Sequence, residues 1–313
     1  MTRSAFILMK IFIYTSLNES NQAVLRQRIG NDHTLTFRSA ATPAPPADVA
    51  VLMGNPPTEQ VRALSNLRFW QLDSAGFDKY AGIKLAIPVC NMGDFFAWPC
   101  AETIVGAVLA LYRRLDELAV QQRAKNWIGV PLRYTMHTLH RQRVVILGAG
   151  TIGQAVRSIL SGFQCQISLL ARTNPAANLH SPDDLLAALP TTDLLINTLP
   201  GSVDGFVSAE VIAAMKPGSF FANVGRGNTV DEAALIAALQ NGHLGGAALD
   251  VTAQEPLPAD NSLWAMPNVL LTQHTAGGQR GEDEGKVAQF IHSFGQFIRG
   301  ETPDNQVDLE RGY

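Results

Sequence analysis

Short apolar runs alternate with polar, helix-period segments along most of this 313-residue chain. In the first hundred residues the runs at 10–14, 35–38, 48–53, 68–72 and 83–87 read as strands, and 20–29 and 58–66 read as helices. Turns are marked by Pro43-Ala44-Pro45-Pro46 and Asn55-Pro56-Pro57. A long helix is expected over 101–125, where Ile104, Val108, Leu111, Leu115 and Leu118 recur at helical spacing as a core or dimer stripe. A second series follows, with strands near 143–147, 166–170, 194–198, 219–224, 246–251 and 268–272. Its helices lie near 152–161, 182–188, 208–214 and 231–241, the last closed by Gly242 as C′ residue. Strands and helices alternating in this way imply an α/β chain with doubly wound parallel sheets. A final helix over about 282–299 leads the chain back to the first domain.

Composition narrows the classes. Apolar residues make up 46% and charged residues 16%, enough to build buried cores and too apolar for a disordered chain. A net charge of −3 leaves no basic footprint for nucleic acid. Cys90, Cys100 and Cys165 have no metal-ligand spacing and suit a reducing cytoplasm. Arg3 before Ala5-Phe6-Ile7-Leu8-Met9 resembles a secretory start, but Lys10 interrupts the apolar run, so a short leader before a first strand is expected, with Met9 as an alternative start. No stretch reaches the roughly 20 apolar residues of a membrane span.

The sequence Gly148-Ala149-Gly150-Thr151-Ile152-Gly153 lies directly between the apolar run Arg143–Leu147 and a helical segment. That order is what a dinucleotide pyrophosphate requires. One glycine makes the tight turn, one lets backbone approach the phosphates, and one lets helix pack on strand. The helix N-terminus offers free amides and its positive dipole end. After the next strand an NAD site carries an acid, whereas this chain has Ala171-Arg172-Thr173-Asn174. Arg172 can pair with a 2′-phosphate and Thr173 can add a hydroxyl, so NADP(H) is expected over NAD(H).

Three further residues sit at strand ends. Arg226 lies between two glycines in Asn223-Val224-Gly225-Arg226-Gly227, where the glycines allow close approach to a ligand and a guanidinium can clamp a carboxylate. His274 follows an apolar strand and precedes Gly277-Gly278, and Glu255 precedes Pro256. Each alone has a bland reading as a surface or loop residue. Together, a carboxylate beside an imidazole favours the imidazolium and supplies a proton donor. His33, His137, His140, His180, His243 and His292 lack such a setting, and His137 with His140 lacks a third ligand, so no metal is expected.

The run from Gly148 to Gly278 resembles the D-isomer-specific 2-hydroxyacid dehydrogenase family. The likeness is carried by Asn-Val-Gly-Arg-Gly, Asp-Glu-Ala-Ala-Leu, Gly-Ala-Ala-Leu-Asp-Val, Glu-Pro-Leu-Pro, Leu-Trp, Pro-Asn-Val and His-Thr-Ala-Gly-Gly. It extends weakly to Asp73–Asp78, Glu102 and Glu310-Arg311-Gly312-Tyr313. Arg172 and the 94–127 region are most similar to the NADPH-linked glyoxylate/hydroxypyruvate reductases.

The resemblance implies a Rossmann cofactor domain over 99–282 inserted in a flavodoxin-like substrate domain over 1–98 and 283–313. Arg226 would bind the substrate carboxylate and keto oxygen, His274 would donate the proton, and Glu255 would hold His274 protonated. The amides of Ala75 and Gly76 would complete carboxylate binding. Cofactor contacts would fall on Gly148, Gly150, Thr151, Ile152, Gly153, Arg172, Thr173, Leu199, Pro200, Val224, Asp250 and Gly277, with Asp250 by the nicotinamide carboxamide. Two domains closing on a hinged cleft would exclude water. A homodimer is implied, with the long helix as a compatible interface.

The chain departs from the family pattern at three places. Gly201–Gly205 is two residues short, Gln273 stands where proline is usual, and the loop Cys90–Phe96 matches no substrate signature, with Phe95 and Phe96 expected in the core. The expected activity is reduction of a small 2-keto acid, glyoxylate or hydroxypyruvate first, with NADPH preferred and NAD possible. The rivals are an NAD-linked phosphoglycerate-type dehydrogenase, which the missing ribose-binding acid opposes, and a non-catalytic nucleotide sensor, which would not need Arg226, Glu255 and His274. A formate-oxidising relative would have no keto oxygen for a Glu255–His274 pair to protonate.

Overall fold

The computed structural model describes residues 8–30 and 32–310; the candidate leader residues Arg3–Ile7 and the closing Arg311–Tyr313 lie outside them. The chain divides into two compact units, one formed by residues 1–95 with 279–313 and the other by 96–278.

The first unit runs β1 (Lys10–Ile13), α1 (Glu19–Ile29), β2 (Thr34–Phe37), β3 (Val51–Met53), α2 (Thr58–Arg62), β4 (Phe69–Gln71) and β5 (Val89–Cys90). Its five parallel strands lie in the order β2-β1-β3-β4-β5. The strands read as unbroken apolar runs because both faces are covered. Ile11, Ile13, Val51, Met53 and Phe69 face Leu25 and Ile29 of α1 and Phe290 and Phe294 of the C-terminal helix. Phe12, Leu52 and Trp70, on the opposite face, pack with Val61, Tyr80 and Leu309.

The expected strand at 83–87 is not formed. Ile83, Leu85 and Ile87 do alternate, but they bury beside Val307 and Leu309 without joining a ladder. The edge strand is β5 instead, and the C-terminal tail closes its free side through Val307 N to Val89 O at 2.8 Å and a bridge from Cys90 to Gln306. The helix expected over 58–66 stops at Arg62.

The second unit opens with α3 (Ala97–Arg113), α4 (Leu115–Arg123) and α5 (Val130–Arg133). The single helix expected over 101–125 therefore begins earlier and is broken at Arg114, whose φ of 55° is left-handed. The break divides its stripe. Ile104, Val108 and Leu111 are buried, while Leu115 and Leu118 are 53% and 38% exposed.

There follow β6 (Arg143–Leu147), α6 (Thr151–Ser161), β7 (Gln166–Leu170), α7 (Pro182–Ala188), β8 (Leu194–Asn197), α8 (Ala209–Ala214), β9 (Phe220–Asn223), α9 (Glu232–Gln240), β10 (Gly246–Leu249) and β11 (Val269–Leu271). All six strands are parallel in the order β11-β10-β9-β8-β6-β7. A lone parallel bridge from Leu179 to Leu170 continues the sheet beyond β7, where a further strand of a doubly wound sheet would lie. Ile104 and Val108 of α3 and Val156 of α6 cover one face, and Leu185 of α7, Val211 of α8 and Leu235 of α9 cover the other. α10 (Glu282–Ile298) then returns the chain to the first unit.

Candidate active site

The glycines after β6 have separable tasks. Gly148 has a φ of 99°, which only glycine adopts without strain. A Cβ on Gly153 would stand 2.2 Å from the Gly148 carbonyl oxygen, so this glycine is what lets α6 close on the strand turn. A Cβ on Gly150 would meet nothing within 4 Å. Gly150 is the N-cap of α6, and no side chain caps the helix there. The helix N-terminus thus has open space where a Gly150 side chain would stand, and the fold itself does not need that side chain. This arrangement fits a pyrophosphate. Asn174 Nδ2 donates to Ala149 O at 3.0 Å and ties the segment after β7, with exposed Arg172 and Thr173, to the glycine turn.

The glycines flanking Arg226 let its turn approach neighbouring loops closely. A Cβ on Gly225 would lie 2.5 Å from Leu199 O, and one on Gly227 only 1.8 Å from Thr252 O. The Arg226 turn is therefore wedged between the Leu199-Pro200 segment after β8 and the segment that leads to Glu255. Arg226 is half-buried.

His274 and Glu255 meet. His274 Nδ1 lies 2.6 Å from Glu255 Oε2, with side chains 53% and 35% exposed. The other carboxylate oxygen of Glu255 accepts from Thr252 N at 3.1 Å, which aims the group. The peptide between Glu255 and Pro256 is cis. Buried Asp250 holds the turn that carries His274. Its Oδ1 accepts from Thr272 Oγ1 at 2.6 Å, Thr275 N at 3.0 Å and Ala276 N at 3.1 Å, and its carbonyl accepts from His274 N at 2.6 Å. Gln273 and His274 both have φ of 55°. Proline, fixed near −65°, could not form this turn. A cavity of about 380 Å³ opens beside the dyad, walled by Leu249, Leu257, Trp264 and Leu271.

The loop at 201–205 is tied down by a residue that pattern reading passes over. Asn228 Nδ2 donates to Gly201 O and to Asp204 Oδ1, both at 2.8 Å, and its carbonyl accepts from Gly205 N at 2.9 Å. Leu199, Val224 and Ala276 are buried near these loops, and Gly277 packs against Phe96 at 3.1 Å from the position of a Cβ. Phe95 and Phe96 are both half-buried. In the first unit, Ala75 and Gly76 lie in the bend after β4. Ser74 Oγ donates to Gly76 O at 2.6 Å and Asn91 Nδ2 to Ala75 O at 2.6 Å, so the carbonyls are engaged locally.

His137 packs edge-on to Phe220, within 5.4 Å, as an aromatic neighbour. Burial pushes the Cys100 thiol up to about 11, with Asp250 adding to the rise and Arg226 opposing it, which makes it a poor nucleophile. Among the described residues no helix is long and apolar enough to cross a membrane.

The family profile described as D-isomer specific 2-hydroxyacid dehydrogenase, NAD binding domain, matches residues 105–276. Glyoxylate/hydroxypyruvate reductase A of Salmonella paratyphi B is 30% identical over 283 residues, which cover 86% of this chain and 88% of that protein. A D-isomer specific 2-hydroxyacid dehydrogenase of Xanthobacter autotrophicus Py2, solved in complex with NADPH and MES, superposes with a TM-score of 0.82 at 28% identity over 98% of this chain and 100% of its own. An NADPH-dependent glyoxylate/hydroxypyruvate reductase of Sinorhizobium meliloti, in complex with citrate, gives 0.79 at 26% identity over 96% and 98%.

Proposed function

The chain belongs to the D-isomer specific 2-hydroxyacid dehydrogenase family and is an NAD(P)-dependent oxidoreductase; on that premise we propose that it reduces a small 2-keto acid to the D-2-hydroxy acid with NADPH, glyoxylate and hydroxypyruvate being the first candidates. The observation that carries this reading is the 2.6 Å contact of His274 with Glu255. The carboxylate engages Nδ1 and orients the ring, which leaves Nε2 as the nitrogen that can pass a proton to a keto oxygen. Arg226 clamps the substrate carboxylate and stabilises the charge that develops on that oxygen. A substrate-binding role for the amides of Ala75 and Gly76 is part of the same proposal. The nicotinamide, when bound, supplies the reducing equivalent.

The cofactor is assigned to the amides at Thr151, Ile152 and Gly153 for the pyrophosphate, with the ring toward Val224 and Asp250. The exposed cation of Arg172, with Thr173 beside it, supports NADPH over NADH. NADPH-bound and NADPH-dependent relatives support the same preference. Three free cysteines support a cytoplasmic location. A homodimer is proposed through the segment 115–134. Trp127 is 93% exposed, Tyr134 86% and Val120 61%, which supports this segment as the interface.

The test is initial-rate reduction of glyoxylate, hydroxypyruvate, pyruvate and phenylpyruvate, each with NADPH and NADH. Turnover with NADPH is expected, and His274→Ala should lower it by roughly 100-fold or more. Near-wild-type turnover in that variant would sink the assignment of the proton donor.

A further inference from the structure

At the C-terminal ends of the parallel strands, one row of the second sheet runs Leu147, Asn197, Asn223, Leu249 across β6, β8, β9 and β10. The flanking leucines belong to the apolar core. The two asparagines between them are 0% and 1% exposed, and Thr229 beside them is 0% exposed. Leucine there would pack with its neighbours and leave no amide to satisfy. Buried amides hold their place only when fully hydrogen-bonded.

Their bonds converge on the two loops of the site. Asn197 Nδ2 donates to Asn223 Oδ1 at 3.1 Å and to Thr229 Oγ1 at 2.6 Å, while Asn197 Oδ1 accepts from Leu199 N at 3.1 Å. Asn223 Oδ1 also accepts from Gly225 N at 3.0 Å. Asn223 Nδ2 and Thr229 Oγ1 then both donate to the carbonyl oxygen of Arg226, at 3.2 and 2.5 Å. One closed network thus sets the peptide of Arg226 against the Leu199-Pro200 segment.

We propose that Asn197, Asn223 and Thr229 are positioning residues for Arg226: their buried relay fixes the backbone of the Gly225-Arg226-Gly227 turn, and with it the direction in which the guanidinium meets the substrate carboxylate. This inference rests on the reductase reading above. A clamp is effective only when held to within a fraction of an ångström, and a misplacement of about 1 Å costs on the order of 100-fold. Polar networks in a low-dielectric interior supply that rigidity, because each bond resists substitution by water.

The experiment compares wild type with Thr229→Val, which keeps the branched shape and deletes the hydroxyl, and with Thr229→Ser, which restores it. Both are also made in an Arg226→Ala background. Keto-acid KM and kcat, NADPH dissociation by fluorescence, and the circular-dichroism spectrum are read for each. In Thr229→Val we expect kcat/KM for the keto acid to fall roughly 10- to 100-fold, carried mainly by KM, with NADPH affinity within about two-fold. Thr229→Ser should recover most of the loss, and Thr229→Val should cost nothing more once Arg226 is gone.

An unchanged kcat/KM, or losses that simply add in the double variant, would overturn the proposal. If Thr229→Val loses the native spectrum, Thr229→Ala takes its place. Unfolding of both would also overturn it, since the hydroxyl would then serve the fold and not Arg226. Wild type that reduces no 2-keto acid would instead bring down the reductase reading, a separate outcome.

Discussion

Alanine at Gly150 and alanine at Gly153 should fail in opposite ways, and the contrast tests whether the turn after β6 is a phosphate cradle or only a tight corner. At Gly153 the new Cβ would sit 2.2 Å from the Gly148 carbonyl, and real Cβ atoms essentially never come within 3.0 Å. The obstacle is backbone, so α6 must move outward by about 0.8 Å or the turn must open. Overpacking of this kind costs roughly 1–3 kcal/mol. At roughly 2–4 °C per kcal/mol for a unit of this size, Tm should fall by about 2–12 °C. At Gly150 the Cβ meets nothing within 4 Å, and alanine replaces glycine at an N-cap whose φ of −76° it tolerates. Its stability without cofactor should stay within about 0.5 kcal/mol of wild type. The same Cβ projects where a pyrophosphate would approach the helix amides, so NADPH affinity should fall roughly ten-fold or more, about 1.4 kcal/mol per decade. Differential scanning fluorimetry without cofactor and a fluorescence titration with NADPH report the two quantities separately. Gly150→Ala that binds NADPH as wild type does would refute the cradle. Gly153→Ala with an unchanged Tm would refute the packing argument.

Arg172→Ala should weaken NADPH binding roughly ten-fold or more while leaving NADH nearly unaffected, as expected for a charge-assisted bond to the 2′-phosphate. Equal loss for both would refute that role. Gln273→Pro cannot keep a φ of 55°, so it should lower Tm and turnover together by disturbing the turn that carries His274. A Tm at or above wild type would exclude the left-handed turn. His33 is buried against Phe294, and burial lowers its pKa from 6.5, with Asp32 partly opposing. Its unfolded form binds the proton more readily, so stability present above pH 6.5 is lost as pH falls through 6.5 toward the folded value. Urea unfolding at pH 7.5 and 5.5 should show a smaller acid loss in His33→Gln than in wild type, and identical losses would count against this account.

What the sequence determines here is local. Period-two and period-3.6 patterns report which positions are buried, and so mark both series of strands and most helices to within a few residues. The glycine spacing after β6, the turn at Arg226 and the placement of His274 beyond a strand are likewise readable, because a backbone that needs glycine or a strand end leaves a mark in its own segment. Tertiary structure decides what depends on a distant partner. Ile83, Leu85 and Ile87 have the alternation of a strand, yet the ladder forms at Val89 because the tail at 306–307 closes the edge there. The stripe from Ile104 to Leu118 has one helical period, yet Arg114 breaks it and leaves its second half facing outward. The tasks of Gly225 and Gly227 follow from Leu199 and Thr252, each remote in sequence. Asn197 and Thr229 look like ordinary polar interruptions of an apolar run. Only the register that sets Asn197 opposite Asn223 turns them into a buried network, since hydrogen bonds are directional and require positions that no local pattern encodes.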